Sequence, residues 1–283
     1  MPKKNTGTVN YPGGKTTLAP WIISHFPEHE CYVEPFGGSA SVLFNKPRST
    51  IEVYNDVYGR VVNYFEVCRD RGDELREWLE MTPYSRELYE EYSQDLEDGK
   101  EPDDEVARAG RFFYLQTTSF SAKPNGGFRI NTTARSPADE TTHKYEKSKE
   151  QVSRVADRFK EVIIENLDFE EVVTKYDSTN CLFYCDPPYV GDRSGNKYYA
   201  VGNDFDHARF AELITDVDGD VVISYDELPD VLETKIDKTW FVSEKKRRYS
   251  SSMDSSQNVE RLVMNFNPDE ASFDTQATDV LDF

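Results

Sequence analysis

The sequence predicts an α/β fold: a mostly parallel sheet flanked by helices, interrupted by a mostly helical insertion and finished by an antiparallel C-terminal hairpin. Three observations carry this. Short apolar runs such as Cys31-Tyr32-Val33, Ile51-Glu52-Val53-Tyr54, Leu182-Phe183-Tyr184-Cys185 and Val221-Val222-Ile223 alternate with stretches at helical spacing, the pattern of parallel strands joined by crossover helices. Residues 72–160 change character to charged, helix-like sequence. Near the C-terminus, residues 239–243 and 259–266 lie on either side of a loop and read as two paired strands.

In chain order, residues 11–17 read Tyr11-Pro12-Gly13-Gly14-Lys15-Thr16-Thr17. A phosphate-binding loop would need glycine where Val9 stands, so a nucleoside triphosphatase is not expected. Leu18, Trp21, Ile22 and Phe26 follow at helical spacing. Residues 31–36 form the first strand, and Gly37-Gly38-Ser39 turns the chain into an apolar helix start at 40–44. Strand, glycine turn and helix let a ligand approach the backbone closely. The same turn would also serve as a plain connection. Residues 51–54 form the second strand and end at Asn55-Asp56. An acid at this point can accept hydrogen bonds from both hydroxyls of a ribose. Asp56 would equally cap a helix carrying Val57, Val61, Val62 and Phe65, and the two roles are compatible.

Residues 116–137 lack clear periodicity and hold Thr117, Thr118, Ser119, Lys123, Asn125, Arg129, Asn131 and Arg135 with few acids. Those side chains suit base edges and phosphates; an ordinary polar loop with an Asn-Gly-Gly turn is the alternative. Residues 160–165 return to strand and end at Asn166-Leu167-Asp168-Phe169.

Residues 182–185 form a buried strand that Pro187-Pro188 forbids from continuing, because neither proline can donate a ladder hydrogen bond. Asp186 therefore sits at a strand's carboxyl end, the edge at which open α/β sheets bind ligands. A carboxylate and a proline carbonyl are both acceptors, and nothing in Asp186-Pro187-Pro188-Tyr189 offers a strong nucleophile or a metal cage. Two acceptors side by side suit an amino group with two hydrogens, and Tyr189 offers a face for an aromatic ring. On the plainer reading the prolines end the strand and Asp186 caps a turn.

Residues 190–203, including Lys197, have the composition of a mobile flap. Residues 205–214 form a helix capped by Asp204 or Asp206, and residues 220–225 a fifth strand. In the loop of the closing hairpin, Lys245-Lys246-Arg247-Arg248 is the strongest basic patch and is expected to meet a nucleic-acid backbone, with a solvated face as the alternative. The acidic residues 268–283 are expected to be poorly ordered.

The chain of 283 residues has room for one α/β domain and an insertion. No apolar run approaches the ~18 residues of a membrane helix. Met1-Pro2-Lys3-Lys4-Asn5 lacks the apolar core of a signal peptide, so a cytoplasmic protein is expected. Cys31, Cys68, Cys181 and Cys185 are too scattered for a disulfide framework, and no Cys/His partners complete a zinc site, so no metal is expected. The net charge of −20 opposes a nucleic-acid partner at face value. Acids, however, crowd surface stretches such as Glu90-Glu91, Glu97-Asp98 and Asp103-Asp104-Glu105. In molar salt the Debye length falls to roughly 3 Å, which would leave only close contacts unscreened. A halophilic source is expected.

Asp186-Pro187-Pro188-Tyr189 is also the signature of the amino-group methyltransferases. Together with Tyr11-Pro12-Gly13-Gly14-Lys15, Val33-Glu34-Pro35-Phe36-Gly37-Gly38-Ser39 and Tyr54-Asn55-Asp56, in that order, it makes the chain resemble the Dam-like DNA adenine-N6 methyltransferases. The resemblance implies a Rossmann-like class I methyltransferase sheet with an inserted target-recognition region. It places S-adenosyl-L-methionine along Tyr11, Lys15, the turn of Glu34, Pro35, Phe36, Gly37, Gly38 and Ser39, then Asp56, Asp168, Phe169 and Asp186. It implies double-stranded DNA as partner, a flipped adenine held by Asp186 and Pro187 with Pro188 and Tyr189 around it, and DNA contacts from Lys123, Asn125, Arg129, Asn131, Arg135, Lys197, Lys245, Lys246, Arg247 and Arg248. The expected organisation is 1–66 for donor binding, 67–158 for target recognition, 159–268 for the Asp-Pro-Pro-Tyr part and 269–283 as tail. A monomer without membrane attachment is expected, and a cognate restriction endonuclease is left open, as in restriction-modification systems. Methylation of cytosine N4 or of RNA adenine demands the same acceptors, and a non-catalytic DNA-binding relative is an alternative of a different class.

Overall fold

The computed structural model describes residues 9, 11, 14–120, 126–131, 133, 140–189, 205–246 and 259–270. Their elements run α1 (Ala19–Ile23), β1 (Cys31–Glu34), α2 (Ser41–Asn45), β2 (Ile51–Asn55), α3 (Gly59–Asp70), α4 (Gly72–Glu80), α5 (Arg86–Glu97), α6 (Glu105–Thr118), α7 (Thr141–Ser148), α8 (Gln151–Phe159), β3 (Ile163–Glu165), α9 (Phe169–Tyr176), β4 (Cys181–Cys185), α10 (His207–Ile214), β5 (Asp220–Tyr225), α11 (Asp230–Lys235), β6 (Phe241–Lys246) and β7 (Val259–Met264). The chain divides into two compact units. One comprises Met1–Thr17, Gly38–Asn45 and Tyr58–Asn166; the other comprises Leu18–Gly37, Lys46–Val57 and Leu167–Phe283.

Six of the seven strands belong to the second unit, in the order β2-β1-β4-β5-β7-β6. Strands β2, β1, β4 and β5 are parallel, with Val33 beside both Val53 and Phe183, and Cys185 beside Ile223. Strand β7 runs antiparallel to both β5 and β6, so the closing hairpin inserts its second strand next to the parallel set. All residues of β1 and β4 are buried, which explains their unbroken apolar runs: a parallel strand covered on both faces has no solvent side on which to alternate. On one face Val33, Val53, Phe183, Cys185, Ile223 and Val263 pack with Phe169, Val172 and Val173 of α9, Phe210 and Ile214 of α10 and Leu232 of α11. On the other, the Phe26 ring lies 5.7 Å from Tyr32 and 6.1 Å from Tyr184.

The hairpin corrects one expectation. Lys245 and Lys246 are not loop residues; they lie within β6, opposite Glu260 and Val259 of β7. The ammonium group of Lys245 sits 5.4 Å above the Trp21 ring. The two lysines therefore present strand positions, and Arg247 and Arg248 fall outside the described residues.

The first unit contains α2 to α8 and β3. Its core is aromatic: Phe65 stacks on Phe159 at 4.5 Å, and Tyr64 contacts Phe112 at 5.6 Å. Helix α6 passes so close to α4 that a Cβ on Gly110 would lie 2.3 Å from the Trp78 ring. Ser85 and Asp104 cap α5 and α6 with side-chain oxygens, the chemistry that satisfies the first free N–H groups of a helix.

Here the structure overturns a second expectation. Gln116, Thr117 and Thr118 are the last turn of α6, not the start of an irregular loop. The hydroxyls of Thr117 and Thr118 donate to the carbonyls of Phe113 and Tyr114 at 2.8 and 2.7 Å, and that of Ser119 to Leu115. They are buried and folded back on their own helix, so they are not available to a base edge. A short antiparallel bridge, Ser119 to Phe128, then returns the chain, with Arg129 N–H donating to Thr118 O at 2.7 Å. Among the described residues, no helix is long and apolar enough to cross a membrane.

Candidate active site

The strand order in the second unit changes direction at β1: β2 lies on one side of it and β4 on the other. The carboxyl ends at such a switch point diverge and open a crevice, which is where α/β sheets bind ligands. Both motifs of this unit end there. The Glu34 to Gly37 stretch leaves β1, and Asp186 to Tyr189 leaves β4. Extending the register by which Val33 faces Phe183 brings Glu34 beside Tyr184.

The β1 turn is held by very close packing. Gly37 N–H donates to Asn55 O at 2.7 Å, and a Cβ on Gly37 would lie 2.2 Å from the Tyr54 ring. Asn55 itself is fully buried. Its amide donates to Pro35 O at 2.8 Å and Leu167 O at 3.1 Å, and its Oδ1 accepts from Leu167 N–H at 2.8 Å. One side chain thereby ties together the ends of β1 and β2 and the segment leading to Asp168. Sequence reasoning quoted Asn55 within a motif but gave a role only to the charged Asp56. Asp56 follows the end of β2 and is half-exposed. The N-cap position of α3 is taken by Tyr58 rather than by Asp56.

Asp168 caps α9, accepting from Glu170 N–H at 2.9 Å, and pairs with Arg209. The Arg209 guanidinium lies 4.3 Å over the Phe169 ring. Phe36 contacts Phe169 at 5.6 Å, Phe205 at 5.5 Å and Phe210 at 5.6 Å. Two of the predicted residues, Phe36 and Phe169, are thus joined in one aromatic cluster. Arg209 and Phe205 complete it and were not singled out, since an arginine inside a helix and a phenylalanine before one carry no motif.

At the end of β4, Pro187 is buried while Asp186, Pro188 and Tyr189 are half-exposed. The Tyr189 hydroxyl donates to Glu260 Oε1 at 2.7 Å, and its ring lies 5.6 Å from Tyr225. Burial, reinforced by the charges of Asp186 and Glu260, pushes the Tyr189 phenol well above its ordinary range, so it remains a hydrogen-bond donor. Cys185, next in sequence to Asp186, is fully buried, and burial raises its thiol far above neutrality. It is not a nucleophile.

The first unit holds the remaining donor-site candidates, Tyr11, Lys15, Gly38 and Ser39. Gly38 adopts φ +48°, and a Cβ there would lie 3.1 Å from the Tyr11 ring. Tyr11 O accepts from Gly14 N–H at 3.1 Å, and Ser39, Ser41 and Thr16 form a chain of hydroxyls at 2.7 and 3.1 Å. Lys15 is buried. Ala40 takes φ +51°, a left-handed conformation unusual for a residue with a side chain.

Of the predicted nucleic-acid contacts, Arg129 is half-exposed, and its carbonyl accepts from the Tyr84 hydroxyl. Asn131 is exposed and folds its Oδ1 onto Thr133 N–H at 3.0 Å. Lys123, Asn125, Arg135 and Lys197 lie outside the described residues.

The second unit therefore presents a carboxylate and a proline carbonyl beside a glycine turn, with further carboxylates at Asp56 and Asp168 and an aromatic wall. A family model described as D12 class N6 adenine-specific DNA methyltransferase matches residues 11–253. The DNA adenine methylase of Escherichia coli (strain K12) is 26% identical over 195 residues, covering 66% of this chain and 66% of that protein. The corresponding Salmonella typhi protein is 27% identical over 198 residues with the same coverage. A type II methyltransferase of Methanocaldococcus jannaschii is 25% identical over 234 residues, 74% of this chain and 79% of that protein. The match thus spans just under two thirds of the two bacterial relatives.

Proposed function

The chain belongs to the D12 class of N6-adenine-specific DNA methyltransferases, and from that premise we propose that it methylates the exocyclic N6 of an adenine turned out of double-stranded DNA, using S-adenosyl-L-methionine. The observation that carries this reading is the placement of Asp186 and Pro187 at the carboxyl end of β4, next to the glycine turn of β1.

The residues fit such a donor. Gly37 lets the turn close tightly on β2, because the Tyr54 ring fills the space that a side chain would take. Glu34, Asp56 and Asp168 are acceptors suited to an ammonium group, ribose hydroxyls and an adenine amine, and Phe36 and Phe169 supply apolar contact. Tyr11, Lys15, Gly38 and Ser39 belong to the proposed donor set on the strength of their motifs. When bound, the donor supplies an electrophilic methyl group.

The chain's own part is to hold the amine. Asp186 carboxylate and Pro187 carbonyl accept its two N–H bonds, which draws the nitrogen lone pair out of the ring and makes it nucleophilic. Tyr189 offers a stacking face, which offsets the few kcal/mol needed to take a base out of the duplex. Orientation of the reacting groups is the main catalytic contribution. Residues 67–158, with Arg129 and Asn131, are proposed to read the target sequence, and Lys245 and Lys246 to meet the phosphate backbone. The source is proposed to be halophilic, from the net charge of −20.

The test is tritiated methyl transfer to duplex DNA, followed by digestion to nucleosides. N6-methyladenine is expected from the wild type and none from Asp186→Ala, with donor binding by calorimetry largely retained. Label in cytosine, or an active Asp186→Ala, would refute the assignment.

A further inference from the structure

Beneath the Asp186 to Tyr189 turn lies a group to which the proposed reaction assigns no role. Glu260 of β7 is only 1% exposed and shares its face of the strand with the buried Leu262 and Met264. A carboxylate so placed is costly unless hydrogen-bonded, and an apolar residue would fill the site at no such cost. Its Oε1 accepts the hydroxyl of Tyr189 at 2.7 Å and also that of Ser224 on β5.

The geometry of Tyr189 explains the expense. Ser224 and Tyr225 are consecutive in a strand and project to opposite faces of the sheet. Tyr189 lies with its ring 5.6 Å from Tyr225, while its hydroxyl reaches the carboxylate that Ser224 also contacts. The ring therefore lies across the carboxyl end of β5 and is gripped from both faces. A ring held at its hydroxyl and along its flank keeps one plane.

We propose that Glu260, supported by Ser224, is a positioning residue that fixes the plane of the Tyr189 ring against which the target base stacks. The inference rests on the proposed role of Tyr189 as stacking face. Glu260 acts through that ring and is not itself catalytic. The packing-compatible variant Glu260→Leu removes the acceptor, Glu260→Gln keeps a neutral one, and Tyr189→Phe removes the donor while keeping the ring.

Kinetics on duplex DNA at saturating donor should show kcat lowered roughly tenfold by Glu260→Leu and by Tyr189→Phe, about 1.4 kcal/mol each. Donor Kd should stay within about twofold, because the donor does not depend on the ring's plane. Glu260→Gln should recover most of the rate. The double variant Tyr189→Phe/Glu260→Leu should be no slower than the slower single variant, since both remove the same interaction. Donor binding reports that each variant is folded. If Glu260→Leu fails that control, Tyr189→Phe decides instead: wild-type kcat in a Tyr189→Phe variant that still binds the donor would overturn the proposal. Additive losses, or wild-type kcat in a folded Glu260→Leu, would overturn the proposal while wild-type methylation still stands. A wild type that leaves adenine unmethylated overturns both readings.

Discussion

Asn55 and Asp56 divide the labour at the end of β2. The buried amide, with three hydrogen bonds to Pro35 and Leu167, sets where the neighbouring backbones lie, and the half-exposed carboxylate follows it at the end of the strand. Removing a buried amide leaves its partners unsatisfied, at roughly 1–3 kcal/mol. Asn55→Ala should therefore lose stability on that scale in urea unfolding and bind the donor more weakly in calorimetry, even though Asn55 is itself fully buried. Unchanged donor affinity would show that the turn does not depend on this tie. Gly37 makes the same point from the opposite direction: no side chain fits against Tyr54.

Among the elements, the link between α1 and β1 carries a titratable weak point. His29 lies 5.8 Å from the Tyr32 ring and 6.2 Å from Phe26. Burial is the main cause that lowers its pKa to about 4. The unfolded chain therefore binds a proton at this residue between about pH 6.5 and 4 that the folded chain does not bind. The stability it supports is present above about pH 6.5 and is lost as the pH falls toward 4. Urea midpoints measured across that window should fall with acidification, and His29→Gln should flatten the slope. An unaltered slope would show that other groups dominate. Helix α6 and strand β6 show how element boundaries redefine side chains: the hydroxyls of Thr117 and Thr118 turn back onto their own helix, and Lys245 projects from a strand with its ammonium over the Trp21 ring.

For the whole molecule, a net charge of −20 is the dominant electrostatic fact. Self-repulsion of that size opposes compaction and repels DNA, and both effects weaken as salt shortens the Debye length from roughly 10 Å at 0.1 M to 3 Å at 1 M. The melting temperature and the rate of methyl transfer are both expected to rise over that range of KCl. A melting temperature that declines instead would remove the case for adaptation to concentrated salt. Surface ion pairs such as Arg71–Glu74 and Lys160–Asp157 add little to this balance, being individually weak and themselves screened.

The sequence by itself determined the alternation of strands and helices, the closing hairpin and the motif at the end of β4, because burial on both faces and the missing N–H of proline act locally on neighbouring residues. It also placed Phe36, Phe169 and Asp186 at strand ends, whereas Phe169 opens helix α9. Only the tertiary structure decided that Asn55 ties three segments, that Arg209 and Phe205 complete the aromatic cluster, and that Glu260 holds Tyr189. These contacts join residues far apart in the chain: Tyr189 and Glu260 are separated by 71 positions, Asn55 and Leu167 by 112. No periodicity or local motif encodes which buried polar groups will meet, since that depends on how the strands are ordered in the sheet.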